Sequence, residues 1–284
     1  MVVAGSDVAA TGADPESLKA SLQSLWRRHR RWWVLSGAGC STEAGIPCYR
    51  DRDGAWQHPS PVTWQDFMRS PAVRQRYWIR SRLGWPRFAA AQPTAMHHAL
   101  ARAGQAGRLN LLVTQNVDGL HQRAGSRQVL DLHGRLDRVC CLGCGAISGR
   151  EALQPRLEQA GHIADTDALR HAPDGDMDWQ SAGLMDFRVP DCEHCGGILK
   201  PDVVFFGEAL PAERPARALA ALAETDAVLV IGSSLMVYSG YRLVREAARL
   251  GLPIVAINQG RTRADELFSL KIERPCGDVA AWLD

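Results

Sequence analysis

Two cysteine pairs, Cys141-x-x-Cys144 and Cys192-x-x-Cys195, carry the plainest chemistry in the sequence. Each pair sets two thiols on one tight knuckle, and two knuckles complete the S4 shell that Zn²⁺ takes. Gly145 follows the first pair and Gly196-Gly197 the second, where the backbone has to turn around a metal. Four thiolates leave no coordination position for water, so the pattern predicts one structural Zn²⁺ per chain rather than a catalytic one. The 47 residues between the pairs exceed the usual finger spacing, but loop-closure entropy grows slowly with length. A redox pair or unrelated thiols are the competing readings. Cys140 adjoins Cys141, and the spacing favours Cys141 as the ligand.

The second signal is a glycine loop, Gly37-Ala-Gly39, followed by Ser41-Thr42-Glu43-Ala44-Gly45-Ile46-Pro47. Glycines let a phosphate approach the backbone, and the N–H groups of a following helical turn attract it. The loop lacks the G-x-G-x-x-G spacing and the later acidic residue of the common dinucleotide fingerprint. Three further apolar runs end in polar clusters: Thr114-Gln115-Asn116-Val117-Asp118, Gly232-Ser233-Ser234 and Asn258-Gln259-Gly260. Ser233 and Ser234 could instead cap the next helix. His133 closes the apolar run 129–132, and an imidazole there has a pKa suited to general-base work near neutrality. A lone histidine is also often structural.

The elements that must position these groups alternate. Residues 14–31 read as a helix with Asp14 as cap, Pro15 in the first turn and apolar Leu18, Leu22, Leu25 and Trp26 on one face. The basic run 27–31 then falls at its C-terminal end as a solvated face. Buried-strand patterns cover 32–35, 111–114, 227–231 and 254–257, with helical patterns over 96–103, 211–224 and 241–250. This order predicts an α/β fold with a doubly wound parallel sheet, which binds ligands at the carboxyl ends of its strands. Residues 51–92 and 134–200 interrupt the alternation, the latter with a polar middle at Asp174-Gly-Asp176-Met-Asp178. The expected division is a large domain of 14–50, 93–133 and 201–284, and a smaller helical and zinc-binding domain of 51–92 and 134–200.

With 46% apolar residues and a net charge of +2 over 284 residues, the chain can bury a large core. The same figures argue against disorder, and against nucleic acid as a specific partner. No segment reaches the ~18–20 apolar residues of a membrane span. The N-terminus lacks the marks of an export or transit signal, so a cytoplasmic location is expected.

Taken together the motifs resemble the sirtuins, NAD-dependent protein-lysine deacylases. The matching stretches are Gly37-Ala-Gly-Cys-Ser-Thr-Glu-Ala-Gly-Ile-Pro47, Thr114-Gln-Asn-Val-Asp-Gly-Leu-His121, Leu132-His-Gly134, the two cysteine pairs, Lys200-Pro-Asp-Val-Val-Phe-Phe-Gly-Glu208, Gly232-Ser-Ser-Leu235 and Ile257-Asn258. Arg74-Gln-Arg-Tyr-Trp78, Gly84-Trp-Pro86 and Ala172-Pro-Asp-Gly-Asp176 are similar to the class II branch. The resemblance implies a Rossmann-like sheet with an inserted zinc lobe, and NAD as co-substrate in the cleft between them. It implies cofactor contacts at Gly37, Ala38, Gly39, Glu43, Tyr49 and Arg50, around the phosphates and the mobile loop. Gln115, Asn116 and Asp118 would surround the nicotinamide and its ribose. Gly232, Ser233, Ser234, Asn258, Gln259, Gly260 and Cys276 would meet the adenosine half. Val203, Val204, Phe205, Phe206 and Gly207, with Val237 and Tyr238, would hold an acyl-lysine peptide as an added strand.

In the implied mechanism the acyl oxygen attacks C1′ of the nicotinamide ribose and nicotinamide leaves. His133 takes a proton through the ribose hydroxyls, and Asn116 and Asp118 complete the catalytic group. The products are lysine, nicotinamide and O-acyl-ADP-ribose. Mono-ADP-ribosyl transfer to protein shares the first step and is the nearest rival. A zinc hydrolase and a non-catalytic zinc-ribbon module are further readings, disfavoured by the all-cysteine ligand set and the small net charge. Cys48 stands where the family usually has Asp, and Cys40 replaces a usual aliphatic residue. The segment Gly54-Ala-Trp-Gln-His58 lacks the Tyr-x-x-Arg pair of the desuccinylating branch, which disfavours dicarboxylic acyl groups. Arg74, Arg76, Arg80 and Arg82 could still bind an acid, but read first as a solvated helix face. Nothing in the sequence assigns an oligomeric state.

Overall fold

The computed structural model describes residues 14–57, 61–161 and 186–284, with a short strand pair at 170–171 and 177–178. Nine further strands follow in chain order. They are β1 (Trp32–Ser36), β2 (Leu109–Thr114), β3 (Val129–Asp131), β4 (Gly134–Cys141), β5 (Ile147–Gly149), β6 (Leu199–Val203), β7 (Ala227–Ile231), β8 (Ile254–Ile257) and β9 (Leu270–Ile272). The helices are α1 (Pro15–Arg28), α2 (Trp64–Arg69), α3 (Pro71–Ala90), α4 (Ala95–Gln105), α5 (Leu120–Arg123), α6 (Arg150–Gln159), α7 (Glu213–Leu222), α8 (Tyr238–Arg249) and α9 (Cys276–Ala280).

Six strands form one parallel sheet in the order β9-β8-β7-β1-β2-β3. The chain winds outward from β1 in both directions, so the order reverses between β1 and β7. That reversal opens a crevice at the carboxyl edge, where doubly wound sheets bind their ligands. The period of two in β1 explains why both faces are covered. Trp32 and Val34 enter a core with Leu22, Trp26, Met96 and Leu100, under α1, α4 and α9. Trp33 and Leu35 enter the opposite core with Ala218, Leu243 and Val244, under α7 and α8. A strand buried on both sides reads as an unbroken apolar run, which is how β1, β7 and β8 appear in the sequence.

The smaller lobe has a three-stranded antiparallel sheet, β5-β4-β6, packed with α2, α3 and α6. Its core gathers Phe67, Tyr77, Trp78, Leu136, Leu157 and Phe205. β6 runs across the 200/201 division expected between the two parts, since Val203 pairs with Gly134 and Leu199 with Cys141.

Several boundaries moved for local reasons. α1 ends at Arg28, and the basic run beyond it turns to bond outward. The backbone N–H groups of Arg30 and Arg31 reach the Asp226 carboxylate, and Arg31 pairs with Glu224. β9 is three residues long and was not visible as a separate apolar run. The solvated face expected for the arginines of α3 is corrected at two positions. Arg74 donates to the Phe67 and Met68 carbonyls, and Arg82 to those of Leu157 and Gly161, so both tie helix ends together. Arg76 is exposed as expected. The polar stretch 174–178 lies largely outside the described residues.

Among the described residues no helix is long and apolar enough to cross a membrane. Leu229 is fully buried at the middle of the sheet, so Leu229→Ala is expected to destabilise the large lobe by about 2–5 kcal/mol. Chemical denaturation followed by tryptophan fluorescence checks this.

Candidate active site

A cleft of about 1040 Å³ lies along the carboxyl edge of the parallel sheet and under the smaller lobe. Such a volume lies just above the ~300–1,000 Å³ range of small-molecule sites. Its floor is the contact between the ends of β1 and β7. Gly37 N–H donates to the Ile231 carbonyl at 2.9 Å and Gly39 N–H to the Gly232 carbonyl at 2.8 Å. Gly232 has φ +60°, and a Cβ on it would lie 2.4 Å from the Cys40 nitrogen. No side chain fits there, and the backbone stays open to the cleft.

A hydrogen-bonded chain stands above this floor. Asn116 Nδ2 donates to the Gly37 carbonyl at 3.1 Å and to Ser41 Oγ at 3.0 Å. Ser41 Oγ donates to Asp118 at 2.7 Å, and Leu120 N–H reaches the same carboxylate at 2.9 Å. Burial pushes the Asp118 pKa up, against the pull of these donors. Both amide protons of Asn116 are directed inward, so Oδ1 is its remaining acceptor.

His133 is fixed by partners on both ring nitrogens. Nδ1 lies 2.9 Å from the Gln115 carbonyl, which can only accept, so Nδ1 carries the proton. Nε2 therefore holds the lone pair and accepts from Ser239 Oγ at 2.8 Å. Burial lowers the His133 pKa, partly offset by the Gln115 carbonyl, and Arg214 lowers it further. The ring is thus a neutral base at pH 7, in one tautomer. Gln115 also accepts from Ser233 Oγ through its side chain at 2.5 Å. Ser233 and Ser234 do not cap a helix, because α8 begins at Tyr238 with Val237 as its cap. Directly after them Leu235 adopts φ +56°, uncommon for a bulky residue.

The wall opposite is the stretch after β6. Val204 N–H donates to the His133 carbonyl at 2.8 Å, and the Phe206 carbonyl accepts from Trp64 N–H at 2.9 Å. The segment is pinned by the buried Lys200, which pairs with Glu208 at 3.0 Å, while Glu208 also accepts from Phe205 N–H. Val203 to Gly207 line the cleft, and across from them Val237 and Tyr238 are exposed.

The structure brings nearly all the expected residues to this cleft: Gly37, Ala38, Gly39, Tyr49, Arg50, Gln115, Asn116, Asp118, His133, Gly232, Ser233, Ser234, Asn258, Gln259 and Cys276 line it. Two do not. Glu43 points away and accepts from Gly277 N–H at the start of α9. Gly260 packs against the Arg52 backbone. Ser41 and Ser239 were not singled out as site residues. Ser41 lies inside the glycine-rich run, and Ser239 six residues after Ser233, but their partners come from distant strands.

The four cysteines converge. Their sulfurs lie within 4.8 Å of one another, with Cys141–Cys195 at 3.5 Å and Cys144–Cys192 at 3.9 Å. Tetrahedral Zn–S bonds of ~2.3 Å require sulfurs ~3.8 Å apart, so the set fits Zn²⁺ closed by four thiolates. The backbone N–H groups of Cys144 and Gly143 help draw the Cys141 pKa down to about 6. Cys140, half-buried, stands outside the cluster.

The Sir2 family model matches residues 37–239. The chain belongs to the Sir2 family. It is 58% identical over 264 residues to an NAD-dependent protein deacetylase of Xanthomonas campestris pv. campestris, covering 93% of this chain and 90% of that one. An NAD-dependent protein deacetylase of Bordetella bronchiseptica is 57% identical over 251 residues, covering 88% and 92%. Among solved structures, one of a Sir2 variant with a deacetylated p53 peptide and 3′-O-acetyl ADP-ribose superposes with TM-score 0.76 at 28% identity, covering 93% and 96%. One of Sir2 with a p53 peptide and NAD⁺ gives 0.74 at 27% identity, covering 92% and 95%.

In this Sir2 chain Cys48 lines the cleft beside Tyr49 and Arg50, and burial raises its pKa. Arg50 stacks on Trp56, 4.1 Å above its ring, and donates to the Gly54 carbonyl. Residues 172–176, expected to resemble the class II branch, and His58 lie outside the described residues. Binding at a structural zinc site is worth roughly 10–16 kcal/mol, so Cys192→Ala should lower zinc from one per chain to none. Elemental analysis reads the metal, and limited proteolysis should show cleavage of the smaller lobe before the larger.

Proposed function

We propose that the chain is an NAD-dependent protein-lysine deacylase that transfers the acyl group from lysine to ADP-ribose and releases nicotinamide. The observation that carries the reading is the single tautomer of His133, whose Nε2 lone pair accepts from Ser239 Oγ in a cleft that Asp118 and Asn116 also line. The cleft fits a dinucleotide: bare glycine backbone, the Asp118 carboxylate, the His133 base, Asn258 and Cys276 all line it. NAD supplies the electrophilic ribose carbon and the leaving nicotinamide.

The chain's own residues do the rest. Gly37, Ala38, Gly39, Tyr49 and Arg50 hold the phosphates, and Gly232, Ser233, Ser234, Asn258, Gln259 and Cys276 the adenosine half. Gln115, Asn116 and Asp118 surround the nicotinamide ribose. His133 receives a proton at Nε2 while the Gln115 carbonyl keeps Nδ1–H in place, which stabilises the imidazolium that forms. Zn²⁺ holds the smaller lobe in shape and takes no part in bond making.

The acyl-lysine peptide enters as a strand between Val203–Gly207 and Val237–Tyr238. Main-chain pairing of this kind tolerates varied sequences. Ile46, Val62, Tyr77, Phe88, Leu136 and Phe205 give the cleft an apolar end, which supports uncharged acyl chains. Tyr77, Trp78 and Trp85 in the smaller core belong to the motifs that support a class II placement. We assign the cofactor to the large domain of 14–50, 93–133 and 201–284, and a cytoplasmic location accords with the sequence.

His133→Ala should keep the fold and lower nicotinamide release from an acetyl-lysine peptide by about 10²–10⁴-fold. Mass spectrometry of O-acyl-ADP-ribose reads the product; label from NAD fixed on protein instead would favour ADP-ribosyl transfer. The base must be neutral, and burial lowers its pKa below the ordinary 6.5. The acid limb of kcat/KM should therefore fall below pH 6.5, with activity retained at pH 7. In a panel of acyl-lysine peptides, succinyl-lysine should turn over more slowly than acetyl-lysine.

A further inference from the structure

Beneath the first turn of the glycine loop lies another group of metal-ligating side chains, apart from the four zinc-type cysteines. Cys40 in the turn, His97 on α4 and His121 on α5 have ligand atoms within 4.8 Å of one another. All three are buried, at 1%, 0% and 1% exposure. The two imidazole rings lie 4.5 Å apart.

The hydrogen bonds around the rings fix which nitrogens face this cluster. Ser36 Oγ donates to Thr114 Oγ1 at 2.9 Å, so it accepts from His121 Nε2–H at 2.7 Å. The His121 lone pair is then on Nδ1, which is buried without a hydrogen-bond partner, as is His97 Nε2. His97 Nδ1 lies 2.8 Å from Thr94 Oγ1, which itself donates to the Cys40 carbonyl at 3.1 Å. Thr94 N–H donates to His97 Nδ1 at 3.2 Å, so without a metal the His97 proton sits on Nε2; coordination at Nε2 requires that proton to pass to Nδ1, where Thr94 Oγ1 accepts it.

We propose that Cys40, His97 and His121 form a second metal site, which takes a soft monovalent cation, Cu(I). One thiolate and two neutral imidazoles suit copper and zinc alike. Burial decides between them, because a net charge is costly away from water. Cu(I) with one thiolate is neutral, whereas Zn²⁺ would leave a positive charge and a missing fourth ligand. On binding, the Cys40 S–H proton leaves to solvent as the metal–sulfur bond forms, with no change of oxidation state. Metal bonds of ~2.0–2.3 Å place ligand atoms about 3.5–3.8 Å apart, an inward shift of at most about 1.3 Å here. Ser36 and Thr94 act as the outer hydrogen-bond partners that fix each ring. Gly39 and Ser41 on either side of Cys40 line the cleft, so a cation here ties the cofactor loop to α4 and α5.

The test titrates zinc-loaded protein with Cu(I) under anaerobic conditions, against a chromogenic Cu(I) chelator. Metal content and copper-edge X-ray absorption are read on the same samples. The expected result is one tightly held copper with one sulfur and two imidazole nitrogens, and zinc retained at one per chain. Cys40→Val should abolish that uptake. Ser36→Ala, which keeps all three ligands, should weaken it by about 10–100-fold. A sulfur-only copper shell in the wild type, displacement of zinc, or a second zinc taken up in place of copper would overturn the assignment. Equal copper affinity in Cys40→Val would do the same. None of these readouts depends on deacylase activity.

Discussion

The close approach of the β1 and β7 ends is the constraint on which the remaining geometry depends. Two backbone hydrogen bonds, Gly37 to Ile231 and Gly39 to Gly232, draw the glycine loop down onto the neighbouring strand end. The loop can sit so low because Gly37, Gly39 and Gly232 have no side chains to separate them. Its depth sets where Asn116 finds the Gly37 carbonyl, where Ser41 finds Asp118, and so where the carboxylate stands relative to His133. Raising the loop by the thickness of one methyl group would shift each of these partners together.

The fold was legible in the sequence where burial imposes a simple pattern. β1, β7 and β8 are covered on both faces, so their apolar runs are unbroken and their ends are marked by glycine or polar residues. The cysteine knuckles were legible because metal coordination demands a local spacing. The three-residue β9 was not, because a short edge strand carries no period of its own. Nor were the half-buried arginines of α3, since Arg74 and Arg82 reach carbonyls that only the tertiary packing brings near. A guanidinium on an exposed turn and one on a buried turn look alike in sequence.

The candidate site divides the same way. Residues on motif stretches arrived in the cleft, because those stretches are the carboxyl ends of strands and the parallel sheet aligns them. Glu43 and Gly260 lie on such stretches too, but the chain turns before reaching them and directs them to α9 and to Arg52. Ser239 depends on the opposite relation. It matters because α8 returns over the sheet and meets His133 from 106 residues away in sequence, a distance no local pattern reports.

Gln115 joins the two halves of the cleft through different atoms. Its main-chain oxygen orients the imidazole, and its carboxamide meets Ser233 at the end of β7. Replacing the side chain leaves the first bond intact and removes the second, so the orientation of the imidazole and the tie to the end of β7 can be separated at one position. The backbone thus shelters the tautomer of the ring from drift in the side chain, while the contact with Ser233 remains free to vary.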